Sequence, residues 1–254
     1  MADEHNDKVG NRGDVWKHFI LCGVVDTLLR GRAENQPFVY AESHCSLGHF
    51  TLSENGQWEQ GIGLFYLRKW PLADHPYFAM EQKAHEADHS YLGSWWLVEG
   101  LLAARGIQGD FRLFDMSDVV ARQLSEVRGF SCSDGFDGVM SDLSADLYLV
   151  DPAYSDHRES DWRRVREVSE KFSERSASAL VWYPVFVKER PLDELAGVVI
   201  AEVRWPARGA NQVMRGCGVV AHGAASGILH GMQSSLAQVA GALSGSLCLR
   251  DQRA

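Results

Sequence analysis

Short apolar runs alternate with stretches of helical period along most of this chain, and that alternation constrains the fold more than any other feature. Phe38 to Ala41, Phe111 to Asp115, Leu147 to Val150, Ala179 to Val185, Val198 to Trp205, Gly216 to Ala221 and Ser246 to Leu249 read as strands. Asp14 to Arg30, with Asp14 as N-cap, Trp95 to Arg105, Ser117 to Glu126, Asp161 to Phe172 and Ser234 to Leu243 read as helices. Strands that first alternate with helices and then follow one another over shorter links predict an α/β fold. The expected sheet is open and mostly parallel, with an antiparallel edge. Residues 53–93, rich in Trp, Tyr and His without clear alternation, are expected to form a helical insert within a single domain spanning 1–254. The Trp-rich part reads as core, with a protein-binding surface as the lesser reading.

The most informative of these runs is Leu147-Tyr148-Leu149-Val150, which ends in Asp151-Pro152-Ala153-Tyr154. A buried strand ending in an acid, a proline and an aromatic places a carboxylate, backbone carbonyls and a flat ring at one sheet edge. The acid and a carbonyl can accept the hydrogens of a planar amine while the ring stacks on its carrier. The nitrogen lone pair is then left to face an electrophilic carbon. Asp-Pro after a strand is also an ordinary turn start, so the tetrapeptide needs supporting residues elsewhere.

Several classes are disfavoured. No apolar run reaches the length of a membrane span and the start MADEHNDK is polar, so the expectation is a cytoplasmic protein with no membrane partner. The five cysteines (Cys22, Cys45, Cys132, Cys217 and Cys248) lack CxxC spacing and read as reduced thiols. With 25 Lys and Arg against 34 Asp and Glu, the net charge of −9 counts against a large RNA substrate. His85-Glu86-Ala87-Asp88-His89 satisfies H-E-x-x-H, but its polar flanks and lack of a third ligand make it a chance match, and no metal is expected.

A set of blocks in register resembles the RlmJ family, S-adenosylmethionine (SAM)-dependent enzymes that methylate an adenine exocyclic amine in large-subunit ribosomal RNA. Gly10-Asn11-Arg12-Gly13-Asp14-Val15-Trp16-Lys17-His18 is similar to the family's GNHADVLKH, and residues 37–48 (PFVYAESHCSLG) to PFLYLDTHAGAG. Tyr91 to Ser94 resembles YPGS, Asp134-Gly135-Phe136 matches DGF, and Asp151 to Tyr154 resembles DPPY. Trp182 to Val185 matches WYPV, and Arg215 to Gly218 loosely resembles RGMxxSG. The resemblance implies a Rossmann-like class I methyltransferase fold. It also implies cofactor- or substrate-binding roles for His18, His44, Ser94, Asp115, Asp134 and Gly135, and a place beside the target amine for Lys17 and Asp151. Tyr154 is read as the stacking ring and Tyr183 as packing. The bland readings are a turn acid for Asp151, a solvated helix residue for Lys17, loop packing for His44 and an N-cap for Ser94.

The departures lie in the cofactor loop and on the substrate side. Ser46 and Leu47 replace Gly and Ala where backbone must approach a ligand, Glu42 replaces Asp, Ala153 replaces a proline, and Asp3 falls where the family has Tyr. Three functions follow. The favoured expectation is a diverged enzyme in which Asp151 positions or deprotonates the amine of a small molecule for substitution at carbon, by N-methylation or by a SAM-independent displacement or cyclisation. The alternatives are a SAM-dependent ribosomal RNA adenine-N6 methyltransferase and a non-catalytic partner subunit. Retained Lys17 and Asp151 argue against the last.

Overall fold

Asn11, not Asp14, starts the first helix. Its backbone is extended and its side-chain oxygen accepts from the amides of Gly13 (2.7 Å) and Asp14 (3.2 Å), which satisfies two of the otherwise unpaired N–H groups of the first turn. Asp14 lies within that turn. The helix, α1 (Arg12–Leu29), is buried on nearly every side, with Val15, Trp16, Phe19, Ile20, Leu21, Val24 and Val25 all inaccessible. A helix apolar all round belongs inside a protein. Lys17 and His18 are carried into the core with it.

The computed structural model describes residues 7–33, 35–66, 70–141, 144–154, 158–186, 199–206 and 214–251. Asp3 and the link around Pro191 to Leu195 lie outside the described residues. The strands of the main sheet are β1 (Phe38–Ser43), β4 (Gly109–Phe114), β5 (Phe130–Ser131), β6 (Leu147–Val150), β7 (Ala179–Phe186), β8 (Val199–Arg204), β9 (Met214–His222) and β10 (Ser246–Asp251). They form an eight-stranded sheet in the order β10-β8-β9-β7-β6-β1-β4-β5. Neighbours from β5 to β7 pair in parallel, and β7-β9, β9-β8 and β8-β10 pair antiparallel. This is the mostly parallel α/β sheet with an antiparallel edge that the class I methyltransferase reading predicts.

Two cores cover the two faces. Leu147 and Leu149 of β6 face the layer that contains α1, while Tyr148 and Val150 face the opposite layer, which includes Phe172 and Phe136. Burial on both faces explains why β6 reads as a continuous apolar run. The strand-parity rule also sorts β1: Tyr40 and Glu42 share the α1 face and Ala41 faces the other way. β1 extends through Glu42 and Ser43, two residues beyond the expected strand, because both pair with β4 and β6.

Between β1 and β4, β2 (His49–Thr51) pairs antiparallel with β3 (Ser90–Leu92). A 3-10 turn (Gln57–Gln60), α2 (Gly63–Tyr66) and α3 (Pro76–Asp88) lie between them, and α4 (Ser94–Ala104) follows. Of the Trp residues here, Trp95 is buried, Trp58 and Trp70 pack against the core, and Trp96 is exposed. His85 stacks on Tyr66 (ring centroids 4.1 Å apart), and His89 closes α3 with left-handed backbone (φ 59°). The two histidine rings lie 4.6 Å apart, and no metal-holding group of three or more His, Cys, Asp or Glu occurs among the described residues. No helix among the described residues is long and apolar enough to cross a membrane.

The remaining helices are α5 (Asp118–Leu124), α6 (Gly135–Ser141), α7 (Arg158–Arg175), α8 (Ala224–Gly231) and α9 (Gln233–Ala242). β5, α6 and α8 are absent from the sequence reading, since each is short and β5 has only two residues.

Candidate active site

The carboxyl ends of β1, β4, β5 and β6 deliver His44, Asp115, Asp134 and Asp151 to one edge of the sheet. The chain leaves β1 for β4 on one side and returns to β6 on the other, so the crevice between β1 and β6 is the switch point where open α/β sheets bind ligands. The convergence is electrostatic as well. Burial lowers the affinity of His44 for a proton, and Asp151, Asp115, Asp134 and Asp161 together oppose that shift.

Asp151 is held from α1. Lys17, 7% exposed, donates from Nζ to Asp151 Oδ2 in a close contact and to Asp14 Oδ1 at 3.2 Å. Burial lowers the affinity of Lys17 for its proton; Asp151 and then Asp14 outweigh it and hold the ammonium above its ordinary range. Burial raises Asp14, with Lys17 opposing. A buried cation paired this way is not the solvated helix residue of the bland reading.

The neighbouring His18 is 3% exposed; its Nδ1 meets the Tyr91 hydroxyl at 2.6 Å. Burial, and then the Lys17 ammonium, keep its imidazole neutral. Its Nε2 is buried with no hydrogen-bond partner among the described residues. A buried, unpaired ring nitrogen costs free energy, which marks it as an atom that a ligand can satisfy.

The loop after β1 bends through left-handed backbone at His44 (φ 58°), Ser46 (φ 53°) and Gly48 (φ 78°). Left-handed geometry at a residue other than glycine costs about 1–2 kcal/mol, so two in three residues signal a constraint imposed from outside the loop. Asp115 supplies one: its Oδ2 accepts from the Ser46 amide at 3.0 Å and its Oδ1 from the Ser117 amide at 2.8 Å. Gly135 supplies another. A Cβ there would lie 2.9 Å from the His44 amide nitrogen, so α6 starts directly against the loop. The His44 ring packs edge-on to Phe136 at 4.9 Å and its Nδ1 meets Ser43 Oγ at 3.0 Å. Leu47 is half-buried and packs against the core.

Three side chains take roles that the sequence does not announce. Ser94 is not the N-cap of α4, which is Gly93; its hydroxyl donates instead to Glu42 Oε1. Glu42 also accepts from Tyr40 at 2.9 Å, is 1% exposed, and is pushed by burial up to about 8, against the pull of those two hydroxyls. Asp134 caps α6 through the Asp137 amide at 3.0 Å and is gripped by both terminal nitrogens of Arg164, each at 3.0 Å.

Tyr154 has left-handed backbone (φ 50°) and is 3% exposed. Its ring lies against Trp162 and Trp182, and its hydroxyl donates to the Trp182 carbonyl at 3.0 Å. It clamps the turn after Asp151. Tyr183 is a packing residue, bonded to Glu202 at 2.9 Å.

The chain is 25% identical, over 227 residues covering 80% of it, to ribosomal RNA large subunit methyltransferase J of Haemophilus influenzae, of which 77% is covered. The chain thus resembles an RlmJ methyltransferase in sequence. Its fold is similar to the crystal structure of protein LPL1258 from Legionella pneumophila, of family DUF519. The TM-score is 0.76 at 19% identity, over 96% of this chain and 98% of that one. No family model matches the chain.

A methyltransferase of the kind this chain resembles would call for SAM, and three features at this sheet edge bear on whether it could be held. His18 Nε2 is an orphaned donor or acceptor, the 44–48 backbone forms the loop between β1 and β2, and Leu47 packs on the core. Leu47→Gly should therefore cost about 1–3 kcal/mol of stability in urea denaturation, and SAM should bind it no more tightly than the parent in calorimetry.

Proposed function

We propose that this protein is a SAM-dependent N-methyltransferase whose acceptor is an exocyclic amine of a nucleic-acid base, adenine N6 in large-subunit ribosomal RNA being the first candidate. The observation that carries the proposal is the Asp151 carboxylate at the end of β6, beside the β1 crevice and held by a buried Lys17. Similarity to ribosomal RNA large subunit methyltransferase J supports the substrate class.

His18, the 44–48 loop, Asp115 and Asp134 with Gly135 would hold the cofactor. Bound SAM supplies an electrophilic methyl group. Asp151 accepts one hydrogen of the amine, with the carbonyls on the Ala153 side as acceptors for the other, and so turns the nitrogen lone pair out of the base plane. Methylation makes that nitrogen cationic, and the extra proton leaves to Asp151 and then to water. The neutral His18 adds no charge that would repel a sulfonium. Clamping of the turn by Tyr154 holds Asp151 and the carbonyls in one geometry, which is the larger part of what such a site contributes.

The small-molecule displacement favoured by the sequence rested on the altered cofactor loop and the acidic charge. With Leu47 on the core the first argument loses its force, and net charge describes the whole surface rather than the crevice. Calorimetric titration with SAM, followed by tritiated methyl transfer to unmodified large-subunit RNA, tests the proposal. Micromolar binding and RNA labelling are expected, with RNA affinity falling as salt rises. No binding at millimolar SAM would overturn methyl transfer. Binding without RNA labelling, but with labelling of small amines, would overturn the RNA assignment.

A further inference from the structure

One ammonium in this site serves two carboxylates. Lys17 Nζ reaches Asp14 Oδ1 at 3.2 Å and Asp151 Oδ2 more closely, and the side chains of Lys17, Asp14 and Asp151 are 9%, 21% and 19% exposed. Their formal sum is −1, and the adjacent His18 adds nothing because it is neutral. The two acids are independently mounted. Asp14 stands one turn before Lys17 on α1, so that contact is local to the helix. Asp151 is 134 residues away and follows β6. A substrate amine that bonds to Asp151 must compete with Lys17 for the carboxylate.

We propose that Asp14 is a positioning residue, a second seat that receives Lys17 when the substrate amine takes Asp151. The inference rests on the reading of Asp151 as the amine-binding acid. An ammonium has three N–H donors, so Lys17 can leave Asp151 without becoming an unpaired buried charge, since its bond to Asp14 is already made. The charge balance points the same way. Once the amine nitrogen has gained a methyl group it is cationic, and two cations then face two anions. Without Asp14, Lys17 and the new ammonium would share one carboxylate in a poorly solvated place.

The test has two arms. In protein labelled with 15N-lysine, the Lys17 ammonium signal is followed by NMR in the parent, in Asp14→Asn, in Asp151→Asn and in the double variant. Asp14 as a seat predicts that either single variant keeps the protonated, slowly exchanging signal and that the double variant loses it. Loss in Asp151→Asn alone, equal to that in the double variant, would overturn the proposal. In the second arm, Asp14→Asn should lower kcat by about ten- to a hundredfold with SAM affinity unchanged, and Asp14→Glu should recover most of the loss. An unchanged kcat would overturn the proposal. If the parent protein methylates no acceptor, the functional reading fails while the NMR arm still decides whether Lys17 is shared.

Discussion

Replacing Asp151 with asparagine is expected to slow methyl transfer about a thousandfold, with SAM affinity within about twofold of the parent. Asparagine keeps the shape of the side chain and one acceptor oxygen. It loses the negative charge that faces Lys17 and, after the methyl moves, the new ammonium. It also presents an NH2 group that can point at the substrate amine, donor against donor. Stability should change little, because Lys17 retains Asp14. Tritiated methyl incorporation under single-turnover conditions gives the rate, calorimetry gives the SAM affinity, and thermal melting checks the fold. A rate loss below tenfold would remove Asp151 from the chemistry.

The second large effect concerns Glu42 and stability. Its carboxyl is raised from the ordinary 4.5 to about 8 by burial, against the hydrogen bonds from Ser94 and Tyr40 and the attraction of Lys17. The folded state therefore holds this proton more tightly than the unfolded chain does. Its contribution is fully present below about pH 4.5 and is lost as pH rises through about 8. Stability should accordingly decline across that window, with a ceiling of about 5 kcal/mol set by the gap between the two values. Glu42→Gln keeps a neutral side chain of the same shape. It should flatten the decline and, at pH 9, exceed the parent by about 2–4 kcal/mol in urea denaturation. Equal slopes for the two proteins would show that Glu42 is ionised in the fold at neutral pH.

Much of the fold was legible because burial on two faces leaves a local record. β6, β7 and β9 are apolar runs that pair on both sides, and α1 carries so many apolar residues that it can lie only in a core. Elements that leave little local record were missed. β5 is two residues beside β4, and α6 is a seven-residue helix whose start is fixed by contact of Gly135 with the His44 loop. Helix caps went to neighbours of the expected residues, Asn11 for Asp14 and Gly93 for Ser94. In both cases the polar side chain is engaged by another partner, Asp14 by Lys17 one turn on and Ser94 by the distant Glu42.

The candidate site divides in the same way. Its members are legible as residue types in motifs: Asp151 at a strand end, Lys17 and His18 in a buried helix, His44 and Asp115 at neighbouring strand ends. Their relations are not. Lys17 meets Asp151 across 134 positions and Ser94 meets Glu42 across 52, separations at which no local pattern specifies contact. Whether Leu47 blocks a ligand or packs on the core depends on which way a left-handed turn directs it, and that turn is constrained by Asp115 after β4 and Gly135 at the start of α6.

The chain by itself determined the layers, the order of most elements and the identity of the acid at the end of β6, since periodicity and strand-end chemistry are properties of neighbouring residues. Only the tertiary structure decided that Lys17 is shared between two carboxylates, that Glu42 is buried among hydroxyls and that Arg164 grips Asp134. Each of these depends on desolvation and on distances between elements, and neither quantity exists until the chain is folded.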